Sequence, residues 1–298
     1  MRVGAIDLGT NSTRLLIADV SDGRVEEVVR RLTITRLGES VDQTGRLGDA
    51  AITRQWSCLD RYRRELTSLG AEHTLATATS AVRDSENGAA FLAALATRYG
   101  VATRLLTGIE EAELTFRGVT SGRELADGTL IVDIGGGSTE LVLGGPRGVT
   151  FATSLQVGCV RLTERFLRSN QPALDELEAC AACVRGLLPA LEPTTAVGVA
   201  GTITTLAAID LAQKTCDPAQ IHGHRISRDA VDLELARLGT LSLNALRQVR
   251  GLDPARAPVI VAGVVILREI MDAYGLEAIE ASEHDILQGA ALTAAELG

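Results

Sequence analysis

Thr129-Leu-Ile-Val-Asp-Ile-Gly-Gly-Gly-Ser-Thr-Glu-Leu-Val-Leu-Gly-Gly145 reads as two strands joined by a glycine-rich turn. The apolar run Leu130 to Val132 ends at Asp133, and a second run, Leu141 to Leu143, follows the turn. Gly135, Gly136 and Gly137 lie between the runs, followed by Ser138, Thr139 and Glu140. Glycine tolerates positive φ and lacks a side chain that would block close approach. Successive backbone N–H groups in such a turn can converge on an anion. Asp133 and Glu140 flank that nest. Two carboxylates beside a bound phosphate would repel it unless a cation sits between them. A hard divalent ion that takes oxygen ligands, Mg²⁺ (or Mn²⁺), answers that need.

The pattern occurs a second time. Ala5-Ile-Asp-Leu-Gly-Thr-Asn-Ser-Thr-Arg-Leu-Leu-Ile-Ala18 aligns with it without a gap. Asp7 falls on Asp133, Gly9 on Gly135, Ser12 on Ser138, Thr13 on Thr139 and Leu15 on Leu141. Arg14 falls on Glu140, the informative departure. An internal duplication gives two similar halves, each with a phosphate-binding hairpin. Two such hairpins facing one another would grip a phosphate chain from both sides.

The flanking pattern repeats as well. Val3–Asp7, Arg14–Val20 and Val25–Arg36 read as a meander. The helix Thr53–Leu69, the strand Glu72–Ala78, the helix Ala89–Tyr99, the strand Ala102–Leu106 and a helix from Glu110 follow. The second half runs Leu130–Asp133, Glu140–Leu143, Val149–Ser154, helix Pro172–Leu188, strand Ala196–Ala200, helix Arg256–Tyr274 and strand Ala278–Ala281. Ser282 is placed to cap a closing helix. An insertion, Ala212 to Leu252, has no counterpart in the first half. The alternation points to two α/β domains with a cleft between them.

Seven blocks, in order, resemble the exopolyphosphatase and guanosine pentaphosphate phosphatase (Ppx/GppA) family, in its short two-domain type, within the actin-like ATPase superfamily. They are Ala5–Leu16, Ala76–Asp84, Thr107–Leu114, Ile131–Glu140, Val157–Arg161, Ala200–Thr205 and Ser282–Gly289. The resemblance implies two ribonuclease H-like domains with mixed five-stranded sheets. Their expected bounds are 1–118, with a closing helix at 285–298 packing back onto that domain, and 119–284. It implies Glu111 as the base that activates water, with Glu110 and Glu113 as rivals on composition. Acids there are equally at home as favourable charges in a helix's first turn. It implies Arg83 on the phosphate, where a fork of donors fits. Asn11, Ser12, Gly136, Gly137, Ser138, Gly201 and Thr202 would cradle oxygens, and Asp133 and Glu140 would hold the metal. The expected activity is hydrolysis of terminal phosphate from inorganic polyphosphate, with guanosine pentaphosphate, converted to tetraphosphate, as a second substrate. Two alternatives stay open: a kinase or ATPase of the same superfamily, and a non-catalytic polyphosphate or alarmone regulator, which would need no base.

Composition bounds the rest. The net charge of −9 and the 3% aromatic content argue against a nucleic-acid partner. No apolar stretch is long enough for a membrane span, and Val259–Leu267 reads as a buried helix. With no signal peptide apparent and five scattered cysteines, the expectation is cytoplasmic. Cys180 and Cys183 lack a second pair to complete a zinc site. His222 and His224 read as loop contacts, Trp56 as packing. A homodimer is left open.

Overall fold

A computed structural model describes residues 1–214 and 217–297. Positions 215 and 216, inside the expected insertion, and position 298, at the end of the expected closing helix, lie outside the described residues. The chain divides into two compact units, one formed by Met1–Glu124 and the segment from His284, the other by Leu125–Glu283.

Unit 1 is built on a mixed sheet of β1 (Arg2–Leu8), β2 (Ser12–Ser21), β3 (Arg24–Ile34), β4 (His73–Ala78) and β5 (Ala102–Leu105). The spatial order is β3-β2-β1-β4-β5. The first three strands form the antiparallel meander, and β1, β4 and β5 run parallel. Alternation along β1 decides which face each residue serves. Ile6 and Leu8, with Leu15, Ile17, Ala76 and Ala78, pack under the helices Asp49–Ser68 and Gly88–Tyr99. Val3 and Ala5, with Leu16, Ala18 and Leu75, pack against Leu287, Ala290, Ala291 and Ala294 of the helix Ile286–Ala295. That helix contributes mostly alanines, so its backbone lies close to the sheet. It also crosses the helix Gly108–Val119 through two glycines. A Cβ on Gly118 would stand 1.7 Å from the Asp285 carbonyl oxygen, and one on Gly289 would stand 2.1 Å from that of Leu114. Asp285, rather than Ser282, is the N-cap. Its carboxylate accepts from the Leu287 amide, and Gln288 reaches back to the Asp285 amide.

Unit 2 contains β6 (Thr129–Ile134), β7 (Thr139–Gly145), β8 (Gly148–Leu155), β9 (Thr195–Val199), β10 (Arg225–Ser227) and β11 (Ala278–Ala281). The order β8-β7-β6-β9-β11 repeats that of unit 1, with β10 added antiparallel to β11 at the edge. The second sheet therefore has six strands where five were expected. The extra one comes from the insertion, and three residues are too few to show a period. β6 is buried at every position. Its Leu130, Val132 and Ile134 join a core with the helices Leu174–Arg185, Ala200–Asp210 and Ile260–Ala273. Leu174–Arg185 and Ile260–Ala273 start later and end earlier than the sequence pattern suggested, and Ala200–Asp210 was not read as a helix from the sequence. No helix among the described residues is long and apolar enough to cross a membrane.

Candidate active site

In unit 2 the glycine tip is held by its carbonyls. The Gly135 amide donates to the Ser138 carbonyl at 3.0 Å, closing the turn. The Gly135 carbonyl accepts from the Cys159 amide, and that of Gly136 accepts from Val160 and Arg161. The Gly137 carbonyl accepts from Arg161 Nε at 2.7 Å. The amides of Gly136, Gly137 and Ser138 donate to no backbone carbonyl among the described residues. The loop thus spends its acceptors on the protein and keeps donors for an anion. Gly135 does not adopt positive φ, nor does Gly9. What glycine provides here is close approach: a Cβ on Gly158 would lie 2.5 Å from the backbone of Gly136 and Gly137. Cys159 is buried under the tip, and burial pushes its thiol up to about 11, so it stays protonated.

Asp133 and Glu140 are direct cross-strand partners, so both carboxylates lie on one face of the sheet. They are 6% and 1% exposed. Ser154 Oγ donates to Glu140 Oε1 at 2.6 Å and orients it. The matching positions in unit 1 are also direct partners, and there Arg14 forms an ion pair with Asp7 at 2.8 Å. The second hairpin has an anion where the first carries its own cation. Two carboxylates are oxygen donors of the kind that Mg²⁺ takes. That ion binds through one or two carboxylates and keeps its other positions for water and phosphate oxygens.

Gly201 and Thr202 open the helix Ala200–Asp210, whose N-cap, Val199, supplies no side-chain acceptor. The first amides of such a helix suit an anion. Ala200 sits at φ 66°, a left-handed conformation that a non-glycine residue adopts at a cost. The Arg256 guanidinium lies over Gly201, where a Cβ would be 1.6 Å from one of its nitrogens. Arg256 and Arg161 were not assigned from sequence. Arg161 closes the block Val157–Arg161 but was given no role, and Arg256 lies outside every block; the fold brings Arg161 to the Gly137 carbonyl and Arg256 over Gly201.

Unit 1 carries the other assigned residues. Its first hairpin closes as the second does, with the Gly9 amide on the Ser12 carbonyl at 3.0 Å. Asn11 is buried, and its Nδ2 has no hydrogen-bond partner among the described residues. The helix Gly108–Val119 separates the three candidate acids. Glu110 completes a capping box with Thr107 and pairs with Arg104 at 2.6 Å. The Thr107 N–H, then Arg104, hold its carboxyl down at about 2. Glu113 is exposed. Glu111 is 9% exposed, and its Oε2 accepts from Arg83 NH1 at 3.2 Å. Arg83 NH1 also donates to the Leu106 carbonyl at 2.8 Å. Arg83 NH2 is buried and has no partner among the described residues.

Two further features are structural. His224 Nε2 meets Asp210 at 2.6 Å, and Trp56 stacks with Phe91 and Tyr99.

The Ppx/GppA phosphatase family matches residues 16–294. The chain belongs to that family. Exopolyphosphatase 2 of Mycobacterium tuberculosis is 41% identical to it over 315 aligned positions, covering 99% of this chain and 98% of the relative. A guanosine-5'-triphosphate,3'-diphosphate pyrophosphatase of Photobacterium profundum is 29% identical, over 92% of this chain and 55% of that protein. Among solved structures, an exopolyphosphatase from Cytophaga hutchinsonii matches 97% of the chain and 96% of its own, with a TM-score of 0.89 and 25% identity. A family member from Aquifex aeolicus matches 100% of this chain and 98% of its own, with a TM-score of 0.83 and 28% identity. In this Ppx/GppA chain the glycine hairpins, the Glu111–Arg83 pair and the Asp133–Glu140 pair all fall within or beside the seven blocks that first pointed to the family.

Proposed function

We propose that this chain is a Mg²⁺-dependent exopolyphosphatase that releases terminal orthophosphate from inorganic polyphosphate. The observation that carries the reading is the pairing of a buried carboxylate, Glu111, with an arginine whose NH2 is buried and has no partner among the described residues. Phosphoanhydride hydrolysis asks for those two parts: a base for water and a fixed donor for a phosphate oxygen. In this reading the water oxygen bonds to the terminal phosphorus. The bridging P–O bond breaks with its electron pair leaving on the shortened chain, and a water proton passes to Glu111. The donors offered to non-bridging oxygens are Arg83, Asn11 and Ser12 on unit 1 and, on unit 2, the tip amides of Gly136, Gly137 and Ser138 and the helix start at Gly201–Thr202. Bound by Asp133 and Glu140, Mg²⁺ would supply positive charge against those oxygens.

Guanosine pentaphosphate is the second substrate in this proposal. It ends in the same phosphoanhydride, and a named pyrophosphatase of guanosine-5'-triphosphate,3'-diphosphate is among the relatives. The test is phosphate release from polyphosphates of several lengths, guanosine pentaphosphate and ATP, with and without Mg²⁺. Release from polyphosphate that depends on Mg²⁺ supports the proposal. Turnover of ATP alone, with transfer to an acceptor, would replace it with a kinase, and tight binding without release would leave a regulator.

A further inference from the structure

Unit 1 buries two carboxylates around one guanidinium. Asp7 on β1 is 4% exposed and Asp285, at the head of the closing helix, is also 4% exposed. Arg14 on β2 contacts both. The two acids use it differently. Asp285 Oδ2 accepts from Arg14, with Arg30 of β3 at 4.0 Å, while its Oδ1 accepts from the Leu287 amide at 2.9 Å. Both of its oxygens are occupied, as a carboxylate's should be. Asp7 takes Arg14 Nε at 3.1 Å and NH2 at 2.8 Å on the same atom, Oδ2. Its Oδ1 is buried and has no hydrogen-bond partner among the described residues. A carboxylate facing a guanidinium ordinarily uses both oxygens in a fork-to-fork pair. Two bonds on one oxygen and none on the other is the pattern of a carboxylic acid, its carbonyl oxygen accepting and its hydroxyl turned elsewhere.

From this asymmetry we infer that Asp7 is held as a neutral carboxylic acid, and that its hydroxyl is a donor for a phosphate oxygen in the first glycine hairpin. The charges facing Asp7 are Arg14 from β2 and Asp285 from the closing helix, with Arg30 of β3 reaching only Asp285. Its register partner on β4, Thr77, is uncharged. Arg30 reaches only Asp285, so the one guanidinium facing Asp7 is shared with a second buried carboxylate, and the acid with the poorer set of donors keeps the proton. Burial pushes the Asp7 carboxyl above its usual range, Arg14 offsetting only part of that. Burial acts on Asp285 too, but there Arg14, Arg30 and the Leu287 N–H outweigh it and hold the carboxyl below its usual range. Asn11 Nδ2, four residues from Asp7 on the same hairpin, is a second buried donor with no partner. A neutral acid on the same hairpin adds a donor without repelling an anion. The donor role rests on the phosphate-substrate reading, whereas the protonation does not.

The experiment reads protonation first. In infrared spectra of protein carrying ¹³C-labelled aspartate, a protonated-acid carbonyl band at pH 7 is expected in the parent and absent from Asp7→Asn. Should that variant fold poorly, Asp285→Asn serves instead. Asparagine keeps the helix cap and leaves Arg14 to Asp7, so Asp7 ionises and the band disappears. Melting curves give the sign independently. A folded pKa raised above the unfolded value, about 3.9, means that the parent gains stability over Asp7→Asn as pH falls towards 4. A parent that loses ground over that range, or a spectrum without the acid band, overturns the inference. Methylenediphosphonate with Mg²⁺, a phosphoanhydride mimic that cannot be hydrolysed, should then shift the band. An unmoved band at saturation removes the donor role. Absent polyphosphate hydrolysis alongside intact spectra would count against the proposed activity, not against the protonation.

Discussion

Glu110 and Glu111 are adjacent in the chain and differ in nearly every physical respect. Glu110 is fixed by the Thr107 amide and Arg104 at the mouth of its helix, whereas Glu111 is buried against Arg83. Glu111→Gln keeps an oxygen that can accept from Arg83 but loses basicity. Polyphosphate hydrolysis should therefore fall by about 10²–10⁴, with the melting temperature close to the parent's and binding of the anion kept or strengthened. Parental turnover in this variant would move the base elsewhere. Glu110→Gln should be milder in catalysis and visible in stability. The Glu110 carboxyl is held at about 2, below its ordinary value. Its stabilising contribution is thus fully present above about 4.3 and is lost as pH falls through about 2. The stability gap between parent and Glu110→Gln, measured by denaturant unfolding, should be constant from pH 7 to 5 and shrink progressively below that. A gap independent of pH would mean that the charge contributes nothing to the cap.

At the level of elements, the glycines separate into those facing backbone and those facing flexible side chains. Gly118 and Gly289 let the helices Gly108–Val119 and Ile286–Ala295 cross with backbone against backbone. Gly118→Ala or Gly289→Ala has no rotamer change to relieve the overlap and should cost at least about 1–3 kcal/mol. Gly201→Ala meets only the end of the Arg256 side chain, so its stability cost should be smaller and its effect on phosphate release larger. Comparable denaturation midpoints for Gly118→Ala and the parent would refute the close-crossing account. This level also shows what sequence could and could not supply. The strands were legible because short continuous apolar runs in β1, β2 and β7 mark strands buried on both faces. The duplication was legible because Asp7 to Leu15 and Asp133 to Leu141 share spacing. β10 was not, being three residues long, and neither was the cap at Asp285, since Ser282 is also a good capping residue and only the backbone decides between them. Arg256 was invisible as a site residue, and Arg161, though it closes a quoted block, had no legible role, because their partners, Gly201 and Gly137, are distant in sequence. Of the two reasons given for glycine at the hairpin tips, close approach and positive φ, only the first applies. Gly9 and Gly135 need no left-handed backbone, and the crowding around the second tip comes from Gly158.

For the whole molecule, the repeat has produced two units with the same strand order and different electrostatics. Unit 1 answers its hairpin acid with Arg14, and unit 2 sets Glu140 opposite Asp133. If unit 2 takes its cation from solution, chelation should abolish phosphate release. Asp133→Ala or Glu140→Ala should lower release by about 10²-fold or more, the loss of several kcal/mol of transition-state charge stabilisation, while leaving a folded protein by circular dichroism. Full activity in excess chelator would remove the metal from the reaction. The segment from His284 has a consequence for synthesis. Leu287, Ala290, Ala291 and Ala294 cover one face of a sheet whose strands are all made before residue 106. Roughly 160 residues of the other unit are translated in between. At about 5–20 residues per second, the nascent first unit waits roughly 8–30 s with Val3, Ala5, Leu16, Ala18 and Leu75 uncovered. During that interval an apolar sheet face stands exposed, the condition in which nascent chains are prone to aggregate.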